Sequence, residues 1–550
     1  MKRTGAEIIV DQLCAQGVTT VFGYPGGQIL PLYDELYQNA HRIHHVITAH
    51  EQGATHAADG YARVAGKTGV VIATSGPGAT NLVTGIANAY LDSVPMVAIT
   101  GNVAVPLLGR DSFQEVDIAG ITQPVVKHNF VVRDVEELEH ILQEAFRIAT
   151  SGRKGPVLVD VPKSVQTDTC ESSTPQPKKM AALRTLPDLT EALRAIRQCK
   201  KPYIYAGGGV IAAGAEAELR ALSQRLSAPV GLSMMGLTAM PANDPLNLGM
   251  CGMHGTYAAT VAQSECDLMI ALGVRFSDRA TGNVKEYLKD RVIIHVDIDL
   301  AEMGKNVASH IDLCGDVKAV LTALLQALPL MGSDAWLARI QELKQRDVFP
   351  ESRDFTPQNI IETVNRFCDG DTVVATDVGQ HQMWTMLYYR FRQPRTLLTS
   401  GGLGTMGYGL GAAIGGCMAR NGQRTVLFTS DGSFGMNLNE LATAVSQELP
   451  IVIVLLNNGV LGMVRQWQTM FFGERHSQST LQRKTDFVAL AKAFGAEGFR
   501  AARLSELEDA LQNLPLNGPV VIDCQIDKDE MVYPMVPPGG SVKNILTRRV

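Results

Sequence analysis

The chain has 550 residues, of which 45% are hydrophobic and 19% charged, with a net charge of −6. At about 150 residues per domain this predicts three or four domains with sizeable cores and excludes a disordered chain. The acidic balance, with no block of Lys or Arg, excludes a nucleic-acid partner. No apolar run reaches the ~18 residues of a membrane span. Glu7 and Asp11 interrupt the apolar stretch at the start, so no secretory signal is expected there. The nine cysteines are scattered and form no C-x-x-C pair. That pattern predicts reduced thiols in a cytoplasm, with neither a disulfide framework nor a zinc site.

Short apolar runs alternate with amphipathic stretches along the chain. GVVIATSG (69–76), VPMVAITG (94–101), GPVLVDVP (155–162), KPYIYAGG (201–208), RTVLFTSDG (424–432) and LPIVIVLLNN (449–458) each end in a turn before a helical stretch. Such runs read as buried parallel strands in βαβ units. Two proline-bearing polar stretches, 166–190 and 347–358, read as linkers. They divide the chain into segments 1–165, 190–345 and 358–530, with a tail at 531–550, and each segment has the length of one α/β domain. Segments one and three share a strand, Thr-Ser, glycine turn and helix, at 70–81 and 425–437. This is the mark of a duplication or simply of any tight βα unit.

The densest chemistry lies at Ser430-Asp431-Gly432-Ser433 and Asn457-Asn458. Asp431 is expected to close a strand, with Gly432 in a turn and the next helix running from about Asn437 to Ser446. Asp431 and Asn458 are 27 positions apart. That is the span of one βαβ crossover, so both reach the same edge of a parallel sheet, where such sheets bind ligands. A carboxylate and an amide oxygen suit Mg²⁺, which completes its octahedron with phosphate and water oxygens. A capping Asp and a loop-forming Asn pair are the plain alternatives.

This pattern resembles the thiamine-diphosphate motif, GDG followed at this distance by NN, with Ser430 in place of the first Gly. The likeness continues through FGYPGG (22–27), AHEQGA (49–54), ATSGPGATN (73–81), FQEVD (113–117), SGRKGPVLVDVPK (151–163), GMHGT (252–256), RFSDRATG (275–282), VGQHQMW (378–384), GGLGTMGYG (401–409) and GMVRQWQ (462–468). In that order they resemble the acetohydroxyacid synthase family, catalytic subunit. The resemblance implies an α/β fold of three doubly wound parallel-sheet domains of the thiamine-diphosphate enzyme type: pyrimidine-binding, FAD-binding and diphosphate/Mg-binding. It implies a transferase that decarboxylates pyruvate and joins the two-carbon unit to a second pyruvate or to 2-oxobutyrate, on the route to branched-chain amino acids. A homodimer or dimer of dimers and a small regulatory subunit are implied with it.

Residue roles follow from the same resemblance. Glu51 matches the glutamate beside the cofactor's aminopyrimidine, with Gln114 and Lys127 on the substrate side. Gln380, His381, Met406, Gly432, Ser433 and Met463 would hold thiamine diphosphate, and Asp431, Asn458 and the Val460 carbonyl would hold Mg²⁺. Arg279 and Trp467 would face substrate. In the middle segment, Gly207-Gly208-Gly209 and Ala212 after a strand fit a dinucleotide turn, with Asp297 and Asp299 available to a ribose. The family places FAD along Arg153, Gly208, Gly209, Met234, Met253, His254, Arg275, Asp278, Asp297 and Asp316. Ser277 stands where Asp is commoner. The rival reading is a flavin-dependent pyruvate oxidase or another thiamine-diphosphate decarboxylase. RFSDRATG and GMVRQWQ speak against it, and intact Glu51, Asp431 and Asn458 speak against a non-enzymatic copy.

Overall fold

The computed structural model describes residues 2–171, 186–347, 354–541 and 544–547. Within them the buried apolar runs form three six-stranded sheets, and every pairing inside these sheets is parallel. Strands such as Met96–Asn102 and Pro156–Pro162 are buried at every position. Helices cover both faces of such strands, so their sequences show no polar alternation.

The first sheet contains Thr20–Tyr24, His44–Ile47, Gly69–Ala73, Met96–Asn102, His128–Val131 and Pro156–Pro162. The third contains Val373–Thr376, Leu397–Leu398, Thr425–Ser430, Ile451–Asn457, Glu497–Ala501 and Val520–Gln525. Counting strands along each segment, both have the order 2-1-3-4-6-5. The local pattern shared by 70–81 and 425–437 therefore occupies the same third strand in each sheet. The central sheet, from Pro202–Ala206 to Ile311–Cys314, has the order 3-2-1-4-5-6, that of doubly wound dinucleotide-binding sheets.

The two stretches read as linkers fall partly outside the described residues, at 172–185 and 348–353. The first of them begins as ordered elements, Lys163–Thr167 and Thr169–Glu171. Thr169–Glu171 pairs antiparallel with Lys2–Thr4. Gln166 is buried, and its Nε2 donates to the carbonyls of Gln28 and Val161, each at 2.8 Å. The two bonds from this buried Nε2 tie the start of the polar stretch to the first segment.

The first and third segments meet through two helices, Glu51–Ala65 and Tyr408–Ala419. A Cβ at Gly60 would lie 2.2 Å from the Ala412 carbonyl oxygen, and one at Gly415 would lie 1.8 Å from that of Ala57. Backbone thus touches backbone, within a core of small and branched side chains that includes Ala54, Ala58, Leu410 and Ile414. The crossing fixes Glu51 at the start of one helix and the Met406 loop just before the other.

Gly415→Ala is expected to destabilise the protein by about 1–3 kcal/mol or more, because the added methyl overpacks a backbone contact. Gly332→Ala, with open space around it, is expected to stay within about 0.5 kcal/mol. Denaturant unfolding of the two variants checks this; equal midpoints would contradict the close-packed crossing.

Candidate active site

At the carboxyl ends of the third sheet, one cavity is lined by Gln380, His381, Met406, Ser430, Asn458, Val460 and Met463 among others. The parallel register brings this about: Ser430 lies opposite Leu456, so Asp431 and Asn458 emerge side by side. Asp431 opens the helix Asp431–Asn437 directly, with Ser430 at its N-cap. The expected turn at Gly432, and a helix starting only near Asn437, are not found. Instead a seven-residue helix runs into a 3₁₀ turn, Leu438–Glu440, and then Leu441–Ser446. Gly432 and Ser433 therefore lie in a helical first turn, where Ser433 Oγ donates to the Val378 carbonyl at 2.8 Å.

Three buried polar atoms at this site have no partner: Asp431 Oδ1, Gln380 Oε1 and His381 Nε2. Gln380 is anchored by its other atom, since Nε2 donates to Gln466 Oε1 at 2.9 Å and to the Glu530 carbonyl at 2.8 Å. Burial raises the Asp431 carboxyl to about 6, opposed by backbone N–H groups that include that of Asn458 and by Arg483. Burial lowers His381 to about 3, so its ring is neutral. Unpaired buried polar groups are costly unless something binds them. Among the described residues, no group of three His, Cys, Asp or Glu side chains can hold a metal. One carboxylate, one amide and a carbonyl instead fit a hard divalent cation that brings phosphate and water oxygens with it. The residues present thus fit Mg²⁺ and a diphosphate. Met406 stands against the helix start, with a Cβ at Gly432 falling 3.8 Å from its Cε.

Glu51 is not in this cavity. It begins its helix after the His50 N-cap, and its Oε2 accepts from Asn81 Nδ2 at 3.0 Å. The carboxylate of Glu440, fully buried, accepts from the backbone N–H of Ala49 at 3.2 Å and of His50 at 2.9 Å. Sequence reasoning singled out neither Asn81 nor Glu440. Asn81 closes the quoted ATSGPGATN, whereas Glu440 sits in an ordinary helical stretch with no local signal. Gln114 adopts φ 59° and packs its backbone where a Cβ on Gly76, the N-cap of helix Pro77–Asn81, would fall. Lys127, expected on the substrate side, is tethered by main-chain carbonyls of its own segment. Its half-buried amine donates to the Ile148 carbonyl and, at 2.6 Å, to that of Ser151. It closes the end of helix Val135–Thr150, and burial brings it down to about 8.

In the central segment, Gly207 and Gly209 press on the end of the neighbouring strand, where Cβ atoms would lie 2.2 Å from the Gly273 oxygen and 2.5 Å from its Cα. Gly208 opens the short helix that follows. Met234 Sδ accepts from Gln382 Nε2 at 3.6 Å, joining this segment to the third. Arg153, held by Ser93 of its own segment at 2.9 Å, reaches across to Glu302 at 2.8 Å. Asp297 ends its strand, accepts from the Asp299 N–H at 2.9 Å, and is raised by burial. Asp316 caps helix Val317–Ala327 through Ala319, so one of its oxygens is already engaged. His254 is buried against the Pro534 carbonyl and lowered to about 4 by that burial. Met253 N–H donates to the Arg279 carbonyl at 2.8 Å, and Arg275 approaches the Gly402 backbone. Asp278 is exposed beside Arg279. The Arg279 guanidinium stands over the Trp467 ring, 5.5 Å from its centroid, while Trp467 meets Phe471 edge to face. Two residues far apart in sequence thus form a cation–π pair.

Three parallel-sheet segments, with a metal-competent Asp/Asn pair at the third, define a thiamine-diphosphate-dependent enzyme. The thiamine pyrophosphate enzyme N-terminal TPP binding domain matches residues 3–121, the central domain 189–324 and the C-terminal TPP binding domain 377–524. The acetolactate synthase isozyme 2 large subunit of Escherichia coli (strain K12) is 46% identical over 548 residues, covering 99% of each chain. The isozyme 3 large subunit of the same strain is 44% identical, covering 98% of this chain and 97% of its own. A probable acetolactate synthase large subunit of Methanocaldococcus jannaschii is 44% identical, covering 98% of this chain and 95% of its own. The chain belongs to the acetolactate synthase large-subunit family.

Asp431→Asn keeps the side-chain volume and removes the charge. Mg²⁺-dependent binding of thiamine diphosphate is expected to weaken by more than the roughly 10–100-fold that loss of an outer partner costs. Titration calorimetry at fixed Mg²⁺ measures it, and unchanged affinity would remove Asp431 from the metal site.

Proposed function

We propose that this chain is the catalytic subunit of a carboligase that decarboxylates pyruvate and transfers the resulting two-carbon unit to a second pyruvate or to 2-oxobutyrate. The products are 2-acetolactate and 2-aceto-2-hydroxybutyrate, precursors of branched-chain amino acids. The observation that carries this over an oxidase is the Arg279–Trp467 stack. It joins the two motifs, RFSDRATG and GMVRQWQ, that separate the synthase reading from its rival.

Bound thiamine diphosphate supplies a nucleophilic carbon and an electron sink for the loss of CO₂. The protein's part is binding, orientation and proton handling. Asp431, Asn458 and the Val460 carbonyl hold Mg²⁺; Gln380, His381, Gly432 and Ser433 hold the diphosphate; Met406 and Met463 supply apolar walls. Glu51 holds a proton at the aminopyrimidine N1′, steadied by Asn81. Gln114 and Lys127 stand on the substrate side. Arg279 receives the carboxylate of the acceptor acid, and Trp467 forms one wall of its pocket. Arg153, Gly208, Gly209, Met234, Met253, His254, Arg275, Asp278, Asp297 and Asp316 would hold FAD, which the condensation uses without net electron transfer.

Within one chain the cavity lined by Ser430, Asn458 and Val460 does not include Glu51. This supports a two-fold homodimer, or a dimer of dimers, in which each site takes Glu51 from one subunit and Asp431 from the other. Relatives are named as large subunits, which supports a smaller regulatory partner. Free cysteines throughout the described residues fit a reducing cytoplasm. Among those residues no helix is long and apolar enough to cross a membrane.

Glu51→Gln is expected to bind thiamine diphosphate and lose most turnover, whereas Asp431→Ala loses the cofactor. Mixed after dissociation, the two variants are expected to regain part of the activity, because one site in each heterodimer carries neither lesion. Full activity in a demonstrated monomer would contradict the shared site.

Product analysis with pyruvate, then with pyruvate plus 2-oxobutyrate, tests the reading as a whole. The wild type is expected to prefer 2-oxobutyrate as acceptor, since an apolar wall discriminates one methylene by about 1–3 kcal/mol, or roughly 10–200-fold. Trp467→Leu is expected to bring the product ratio towards parity while leaving acetolactate formation largely intact. An unchanged ratio would return Trp467 to a packing role, and absence of both products would overturn the synthase reading.

A further inference from the structure

The loop between Leu397–Leu398 and Tyr408–Ala419 carries Met406 into the cavity, yet its firmest attachments belong to the first segment. Asp92 stands at the C-cap of helix Val83–Leu91, and its side chain is fully buried. Its Oδ1 accepts from the Gly402 N–H at 2.7 Å, and its Oδ2 from the Gly401 N–H at 3.0 Å. The same Oδ2 pairs with Arg63 Nη2 at 3.0 Å. Arg63 binds Asp59 at 2.6 Å, and Asp59 Oδ1 accepts from the Tyr408 hydroxyl at 2.7 Å, just beyond the loop's far end. Between these points Ser400 Oγ donates to Asn88 and accepts from the Thr405 N–H at 2.9 Å.

Neither glycine has room for a side chain. A Cβ at Gly402 would lie 2.9 Å from Asp92 Oδ1 and 3.0 Å from Arg275 Nη2, and one at Gly401 would lie 2.3 Å from Met235 Sδ. All three segments therefore converge on this dipeptide. A buried carboxylate that accepts from two consecutive N–H groups and a guanidinium is a fully used, charge-assisted acceptor. An amide in its place turns N–H towards N–H at one of those contacts.

We propose that Asp92 is a positioning residue for the cofactor site: its carboxylate fixes residues 400–405 and thereby the depth at which Met406 enters the cavity. This rests on the reading of that cavity as the thiamine-diphosphate site. The role differs from plain stabilisation because Asp92 touches none of the reacting groups and acts through a backbone that ends at one that does.

The test uses full-length wild type, Asp92→Asn and Ser400→Ala. Hydrogen exchange is followed in residues 399–407 without cofactor, and thiamine diphosphate is titrated at saturating Mg²⁺ by tryptophan fluorescence. Exchange at 401 and 402 is expected to rise at least about tenfold in Asp92→Asn. The Kd for thiamine diphosphate is expected to rise about 10- to 100-fold, the scale of losing an outer partner. Ser400→Ala is expected to show the same two changes in smaller measure, and it decides the matter if Asp92→Asn does not fold. A lower Tm with unchanged exchange in this segment, or faster exchange with unchanged Kd, would overturn the proposal. Failure of the wild type to bind thiamine diphosphate would instead overturn the functional reading, while the exchange arm still reports on the loop.

Discussion

Everything functional in this chain hangs on the contact between two glycine-bearing helices. Where Gly60 meets Ala412 and Gly415 meets Ala57, no side chain intervenes, so the separation and rotation of the helices are set by backbone itself. Such a contact tolerates little adjustment, because packed interiors lack the voids into which a misplaced atom could move. Glu51 begins one of these helices and the Met406 loop leads into the other. The crossing thereby sets the positions of an acid and an apolar wall that lie 355 residues apart in sequence.

Electrostatics reinforces that geometry from inside. Glu440, raised by burial, is lowered again by Thr443 and by the N–H groups of Ala49 and His50. A carboxylate from the third segment thus holds the start of the helix that bears Glu51. Asp59, Arg63, Asp92 and Tyr408 form a second buried network towards the C-terminal end of the same helix. Removing one member of a buried ion network leaves an uncompensated charge, which makes such networks rigid. The cavity at the third sheet contrasts with both. There Asp431, Gln380 and His381 each keep a buried atom without a partner, the state of a site built in advance for a polar ligand.

Much of this was legible in the residues. Near-continuous apolar runs gave away parallel strands, because burial on both faces removes alternation. The Asp431–Asn458 spacing placed both residues at one sheet edge, because a βαβ crossover has a characteristic length. Long-range carboxylate partners were not legible. Glu440 and Asp92 carry no motif of their own, and their roles exist only once distant backbone N–H groups arrive beside them. The anchoring of Lys127 was not legible for a related reason: a lysine's ordinary preference for water does not reveal that two carbonyls at a helix end await it. The helix start at Asp431 also escaped the sequence reading, since Asp-Gly is equally at home in a turn and in a helix's first turn.

The segment after the third sheet returns to the central one. Val536 N–H donates to the Met253 carbonyl at 2.8 Å, the Asn283 N–H reaches Gly540, and His254 meets Pro534 across 280 positions. Val532 and Met535 are fully buried. The wall of the central segment around Met253 and His254 is therefore completed only by residues that follow the third sheet in the chain. Contacts of such large sequence separation close late, since loop-closure entropy must be overcome before they form. On a ribosome the middle of this chain would emerge second yet be completed last.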